Sequence, residues 1–64
     1  MTQQIIEDAY RRHYRMFRKA DKEGRGYDQA RHIGAMRIHG ERLIKQYGYK
    51  EEDLRRIEQE EGKS

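Results

Sequence analysis

Apolar residues in the first third of the chain recur in steps of three and four. They are Ile5, Ile6, Ala9, Tyr10, His13, Met16, Phe17 and Ala20. Projected at about 100° per residue, these positions form one stripe, which predicts an amphipathic helix over residues 3–22. Thr2 is a residue type that favours the N-cap position in front of such a helix.

A glycine-containing segment interrupts this pattern at residues 21–26, where Gly24 and Gly26 supply the permissive backbone that a helix stop needs. The connection is short, which favours an antiparallel hairpin. A second helix is predicted over residues 27–47, ending at Gly48 as a left-handed C-terminal residue. Its apolar stripe is expected to consist of Ala30, Ile33, Met36, Gly40, Leu43, Ile44 and Tyr47.

The last quarter of the chain predicts a short third helix over residues 51–60. Acidic residues occupy its first turn, where they suit the positive end of the helix dipole, and Leu54 and Ile57 are its apolar anchors. Residues 61–64 have nothing apolar to bury and are expected to fray. The expected fold is all-α, a single small domain over residues 1–64 with a two-helix hairpin and a short C-terminal helix.

Size and composition add an expectation about assembly. The chain has 64 residues, of which 33% are hydrophobic and 42% charged, so a monomer can bury only a small core. There is no cysteine, which excludes disulfides and thiolate metal sites. We therefore expect a homo-oligomer, with a homodimeric or higher helical bundle as the first hypothesis. No apolar run of about 20 residues and no signal-peptide pattern is present, which favours a cytoplasmic protein without a membrane partner.

Positive charge is concentrated on one face of the first helix. Residues 9–22 contain six cations against one acid, Asp21, whereas residues 50–64 carry a net charge of −2. The stripe and its flanking residues are Arg11, Arg12, Tyr14, Arg15, Arg18, Lys19 and Lys22. Guanidinium groups match phosphate oxygens, and a ring beside them can stack on a base. This face predicts a small regulatory protein that binds nucleic acid or another phosphate-bearing ligand.

Other interpretations of the basic face stay open. It can be a solvated helix surface, or the acidic C-terminal tail can fold back and neutralise it. It can also contact an acidic protein surface, in which case the chain is a small inhibitor or adaptor of the type that phages encode. A related alternative is an oligomer that sequesters a nucleotide between subunits.

The second helix has a further face, opposite its main apolar stripe, that carries small and apolar residues. Its members are Tyr27, Arg31, Gly34, Ala35, Ile38 and Arg42. Glycine inside a helix costs about 1 kcal/mol relative to alanine, and close packing would account for that cost. This face is the predicted protein interface, with a second subunit or a target.

The sequence does not favour catalysis or metal binding. His32 and His39 lie seven residues apart, about 10 Å along a helix, which is too far for both to bind one metal ion. His13 falls in the apolar stripe of the first helix and is expected to be a packed, hydrogen-bonded residue. No nucleophile motif or phosphate loop is present. We therefore predict a non-enzymatic protein with no catalytic residue, no metal site and no cofactor.

Overall fold

A computed structural model of the chain describes residues 2–63, and within that range it contains three helices and no strand. Helix α1 spans Gln3–Lys22, α2 spans Gly26–Tyr47 and α3 spans Glu51–Gly62. The prediction of an all-α fold is confirmed. Among the described residues, no helix is both long and apolar enough to span a bilayer.

The ends of α1 are those that the sequence predicts. The side chain of Thr2 accepts a hydrogen bond from the backbone N–H of Ile5 at 3.3 Å, which caps the helix start. Beyond Lys22 the chain reverses through Gly24, whose φ of 72° lies in the left-handed region that glycine adopts without strain. Gly26 is the first residue of α2, one position earlier than predicted.

Helices α1 and α2 run antiparallel and make most of the interhelical contacts. His13 lies against both His32 and His39, and Tyr10, earlier on α1, lies against Gly40, later on α2. Gly48 ends α2 with a φ of 73°, and the N–H of Tyr49 donates to the carbonyl of Leu43 at 3.0 Å. The chain is thereby directed back across α1.

The core is small and draws on all three helices. Its buried residues are Ile6, Tyr10, Leu43 and Ile57, and Met36, Tyr47, Tyr49 and Leu54 pack around them. Helices α2 and α3 both lie against α1 but barely contact each other. Burial and the neighbouring Glu58 raise the pKa of Tyr10 to about 12, so the phenol is neutral in the folded protein.

Several positions of the predicted apolar stripes are exposed instead of buried. On α1 these are Ile5 and Met16, and on α2 they are Ala30, Ile33 and Ile44. Helix α2 is rotated about its axis relative to the prediction, so that its histidine-bearing side faces α1. The predicted stripe of α2 is therefore correct only at Met36, Gly40, Leu43 and Tyr47. A hydropathy projection ranks isoleucine above histidine as a core residue and takes no account of the residues on the neighbouring helix.

The expectation that residues 61–64 fray stays a prediction, while α3 ends two residues beyond its predicted end at residue 60. Helix α3 continues to Gly62, and the Glu61 side chain is only 13% exposed because it pairs with two arginines of α1. These ion pairs join the end of α3 to α1, and a hydropathy argument does not detect them. Ser64 lies outside the described residues.

Candidate nucleic-acid interface

An open cleft lies between the C-terminal half of α1 and the last turn of α3. We call it the basic cleft, and its volume is about 790 Å³. The cationic residues that line it are Arg15, Arg18, Lys19 and Lys22. Four of the seven residues predicted for phosphate binding thus meet at one surface, and Tyr14 is a fifth.

Two aromatic rings form the apolar part of the basic cleft. Tyr14 and Phe17 both line it, with ring centroids 6.4 Å apart and ring planes inclined by 32°. The guanidinium of Arg18 lies 5.8 Å from the Tyr14 ring centroid and donates a hydrogen bond to the Tyr14 hydroxyl at 3.2 Å. This contact holds Arg18 at the mouth of the cleft. Gly62 leaves room for it, since a Cβ there would lie 2.8 Å from Arg18 Nη1.

The N-terminal half of the basic stripe is already neutralised within the chain. Arg11 contacts Glu7 at 3.1 Å and both Glu60 and Glu61 at 3.0 Å. Arg15 also pairs with Glu61. The acidic tail therefore folds back onto the stripe, which is one of the alternatives left open by the sequence, and Glu60 and Glu61 pair there with Arg11 and Arg15.

The ionisation of this network follows from its hydrogen bonds. Desolvation opposes the charged form of Glu61, but hydrogen bonds from Arg11 and Arg15 outweigh it and lower the pKa of Glu61 below its ordinary value. Desolvation likewise opposes the charge on Arg11, and the hydrogen bonds to Glu60, Glu61 and Glu7 outweigh it and raise the pKa of Arg11. Both partners are therefore charged at neutral pH.

Four cations of the predicted stripe have no ion-pair partner among residues 2–63, and Arg18 is one of them. Lys19 and Lys22 lie exposed on the rim of the basic cleft, while Arg12 is exposed outside it. Asp21 also lines the cleft, but its carboxylate accepts a hydrogen bond from Gln29 at 2.7 Å. The lysines stand in the last turn of α1, where positive charge suits the helix dipole.

The predicted protein interface on α2 is partly exposed. Tyr27 is 80% exposed and Ile38 56% exposed, and Arg31, Gly34 and Arg42 also lie at the surface. Ala35 is half-buried on the side of α2 that carries His32 and His39, so it does not belong to the same exposed patch. Gly34 has nothing within 4 Å of a Cβ built on it, so no close approach within the chain explains it. A partner on this face stays a prediction.

The three histidines form a cluster between α1 and α2 that the sequence analysis did not assemble. The Nδ1 atoms of His13 and His32 lie 3.1 Å apart, and the His13 and His39 rings stack at 5.7 Å. Within the described residues, no three ligating side chains are arranged to hold a metal ion. The signal available in the sequence was that His13 lies on the apolar stripe of α1, and that His32 and His39, seven residues apart, lie on one side of α2.

Burial and neighbouring charges oppose protonation of His13 and His39. Burial is the largest effect that lowers the pKa of His13, followed by the charges of His32, His39, Arg12 and Arg31. Burial and the nearby Arg42 lower the pKa of His39. Both rings are therefore neutral at pH 7.

Comparisons with known proteins identify no relative from which a function could be inferred. No protein-family model, no curated protein and no solved structure matches the chain. The basic cleft is the surface on which charge, aromatic rings and concave shape coincide.

Proposed function

We propose that the chain is a small binding protein that holds single-stranded nucleic acid in the basic cleft. Arg18, Lys19 and Lys22 would contact backbone phosphates, and Tyr14 and Phe17 would stack on bases. The observation that supports this most directly is the pair of lysines on the cleft rim, which have no ion-pair partner in the described chain. Like charges at neighbouring positions of a helix repel each other, and the helix dipole offsets this repulsion in the last turn of α1.

The aromatic rings favour a single strand over a duplex. Bases in a duplex are stacked on each other, and their faces are not available to a protein ring. In a single strand each base has a free face, and stacking on an aromatic side chain contributes about 1–3 kcal/mol per base. A cationic rim around two rings is the arrangement that sequence-tolerant single-strand binding uses.

We propose a smaller set of phosphate contacts than the sequence alone suggests. Arg11 and Arg15 are engaged with Glu60 and Glu61, so they can reach a phosphate only if α3 releases them. Arg12 is exposed on the other side of the stripe, away from the basic cleft. The proposed primary contacts are therefore the three cations at the C-terminal end of α1.

Self-association belongs to the same proposal. Four side chains form the buried cluster that joins the three helices, and a chain of this length gains little stability from so small a core. A homodimer would bury further apolar surface and place two basic clefts on one particle. Two linked sites raise the affinity for a strand long enough to reach both.

The test is fluorescence anisotropy of labelled oligonucleotides at 50 mM salt. We expect the chain to bind single-stranded probes more tightly than duplexes of the same length. The double variant Lys19→Gln/Lys22→Gln should weaken single-strand binding at least tenfold. Equal affinity for duplex and single strand would refute the stacking role of Tyr14 and Phe17.

A matched control separates the basic cleft from net charge. The double variant Lys45→Gln/Lys50→Gln removes the same charge from exposed positions outside the cleft. It should retain most of the affinity. If both double variants lose affinity equally, the chain binds through its overall charge and the cleft is not the site. Circular dichroism spectra of both variants confirm that the helices are intact.

A further inference from the structure

An apolar groove shares no lining residue with the basic cleft. It is open along the gap that α2 and α3 leave between them, with Tyr10 of α1 as its floor, and its volume is about 360 Å³. The apolar residues that line it are Tyr10, Ile33, Met36, Gly40, Ile44 and Leu54. Isoleucines at two positions of one exposed helix face are not explained by the core of a single chain.

Two opposite charges stand on the α2 side of this groove. Arg37 and Glu41 both line it and both are exposed. They are one helical turn apart, yet they form no ion pair with each other or with another residue of the described chain. An arginine followed four residues later by a glutamate is the less favourable order for a pair within a helix.

These four residues of α2 are arranged symmetrically about one point of the helix. Ile33 and Ile44 have their midpoint between residues 38 and 39, and Arg37 and Glu41 have theirs at residue 39. At a rise of about 1.5 Å per residue, the two midpoints coincide within about 1 Å. A single two-fold axis through this point therefore places Ile33 against Ile44 of a second copy, and Arg37 against Glu41 of that copy.

We infer that the groove is the contact between two copies of this chain, in which their α2 helices pack antiparallel about a two-fold axis near residue 39. This rests on the self-association proposed above and specifies its surface. Each copy would place the Ile33 and Ile44 side chains of its α2 in the groove of the other. The interface would contain two equivalent Arg37–Glu41 ion pairs. It differs from the face of Tyr27 and Ile38 that the sequence predicts.

The experiment is sedimentation velocity of the full chain from about 5 to 500 μM, with matched substitutions on the two faces of α2. Ile33→Asp and Ile38→Asp place the same charge on the same helix at similar exposure, 50% and 56%. We expect wild type and Ile38→Asp to dimerise. Ile33→Asp should raise the dimer Kd at least a hundredfold, with unchanged helix content by circular dichroism.

A charge exchange tests the two-fold axis itself. Arg37→Glu and Glu41→Arg each put like charges opposite each other twice in the dimer, and each should raise the Kd at least tenfold. The double variant Arg37→Glu/Glu41→Arg should restore dimerisation. Failure of the double variant to recover while both single variants dissociate would overturn the antiparallel register.

The outcomes separate this inference from the proposed function. Loss of the dimer in Ile38→Asp but not in Ile33→Asp would overturn the groove as the interface and leave self-association standing. A wild-type chain that is monomeric at 500 μM would overturn both the groove and self-association. Neither result bears on the basic cleft, which has different lining residues and whose oligonucleotide binding is measured separately.

Discussion

Arg11 and Glu61 are joined by a 3.0 Å hydrogen bond across fifty residues of sequence, and this contact fixes the last turn of α3 on α1. Glu61 also accepts from Arg15, so one half-buried carboxylate holds two guanidinium groups. The same contact sets one wall of the basic cleft. The Arg11–Glu61 contact therefore affects both the stability of α3 and the number of cations that are available to bind a ligand.

Replacing Glu61 by glutamine should lower the free energy of unfolding by about 1–2 kcal/mol, because two half-buried charge-assisted contacts are lost. Glu60 is the matched control, since it contacts Arg11 only and its side chain is 53% exposed. Glu60→Gln should lower the free energy by less than about 0.5 kcal/mol. Urea unfolding at pH 7 measures both, and equal effects of the two substitutions would contradict the role given to Glu61.

The combined variant Glu60→Gln/Glu61→Gln should bind single-stranded nucleic acid more tightly than the wild type. It releases Arg15 from its ion pair and leaves Arg11 with Glu7 as its remaining acidic partner. Each further phosphate contact should strengthen binding roughly eightfold at 50 mM salt. Anisotropy titrations under the conditions used for the wild type give the ratio. If affinity stays the same while stability falls, these arginines do not reach the ligand.

The two glycines inside α2 should respond to alanine in opposite directions. A Cβ on Gly40 would meet Leu54 at 3.2 Å and Tyr10 at 3.3 Å, so Gly40→Ala forces these side chains apart and should lower the free energy of unfolding by about 1 kcal/mol. Gly34 faces open space, and Gly34→Ala should raise the free energy of unfolding by about 0.5–1 kcal/mol. Chemical denaturation distinguishes the two, and stabilisation by both substitutions would show that the Gly40 contact is loose.

Thermal stability should fall as the pH drops from 7.5 to 5. His13 and His39 have lowered pKa values in the fold, so below the ordinary histidine pKa of 6.5 the unfolded chain binds more protons than the folded one. Their contribution is complete above about pH 6.5 and is lost as the pH falls through their folded-state values. The variant His13→Gln should flatten the Tm profile over this range. A wild-type Tm that is constant or rises on acidification would contradict the clustering of the three rings.

Local patterns in the sequence were sufficient to predict the three helices and most of their ends. Thr2, Gly24 and Gly48 mark three helix ends by their side-chain or backbone chemistry, and the structure places all three where these patterns indicate. The rotation of α2 was not predictable in the same way. It depends on how His13 and His39 stack between two helices, and an amphipathic projection of α2 alone contains no information about α1.

The candidate site, too, was predictable from the sequence only in part. The periodicity of the basic residues predicts a cationic face on α1, and the structure places that face beside the last turn of α3. Which cations stay unpaired depends on Glu60 and Glu61, whose contacts with Arg11 span about fifty residues. Only a three-dimensional arrangement distinguishes Arg11, which is neutralised, from Lys22, which is not.

The salt dependence of single-strand binding tests the central claim most directly. If Arg18, Lys19 and Lys22 neutralise three phosphates, a plot of log affinity against log salt should have a slope of about −2 for the wild type. The slope should fall to about −0.7 for Lys19→Gln/Lys22→Gln and stay near −2 for Lys45→Gln/Lys50→Gln. Absence of binding at 50 mM salt, or one common slope for all three proteins, would contradict nucleic-acid binding in the basic cleft.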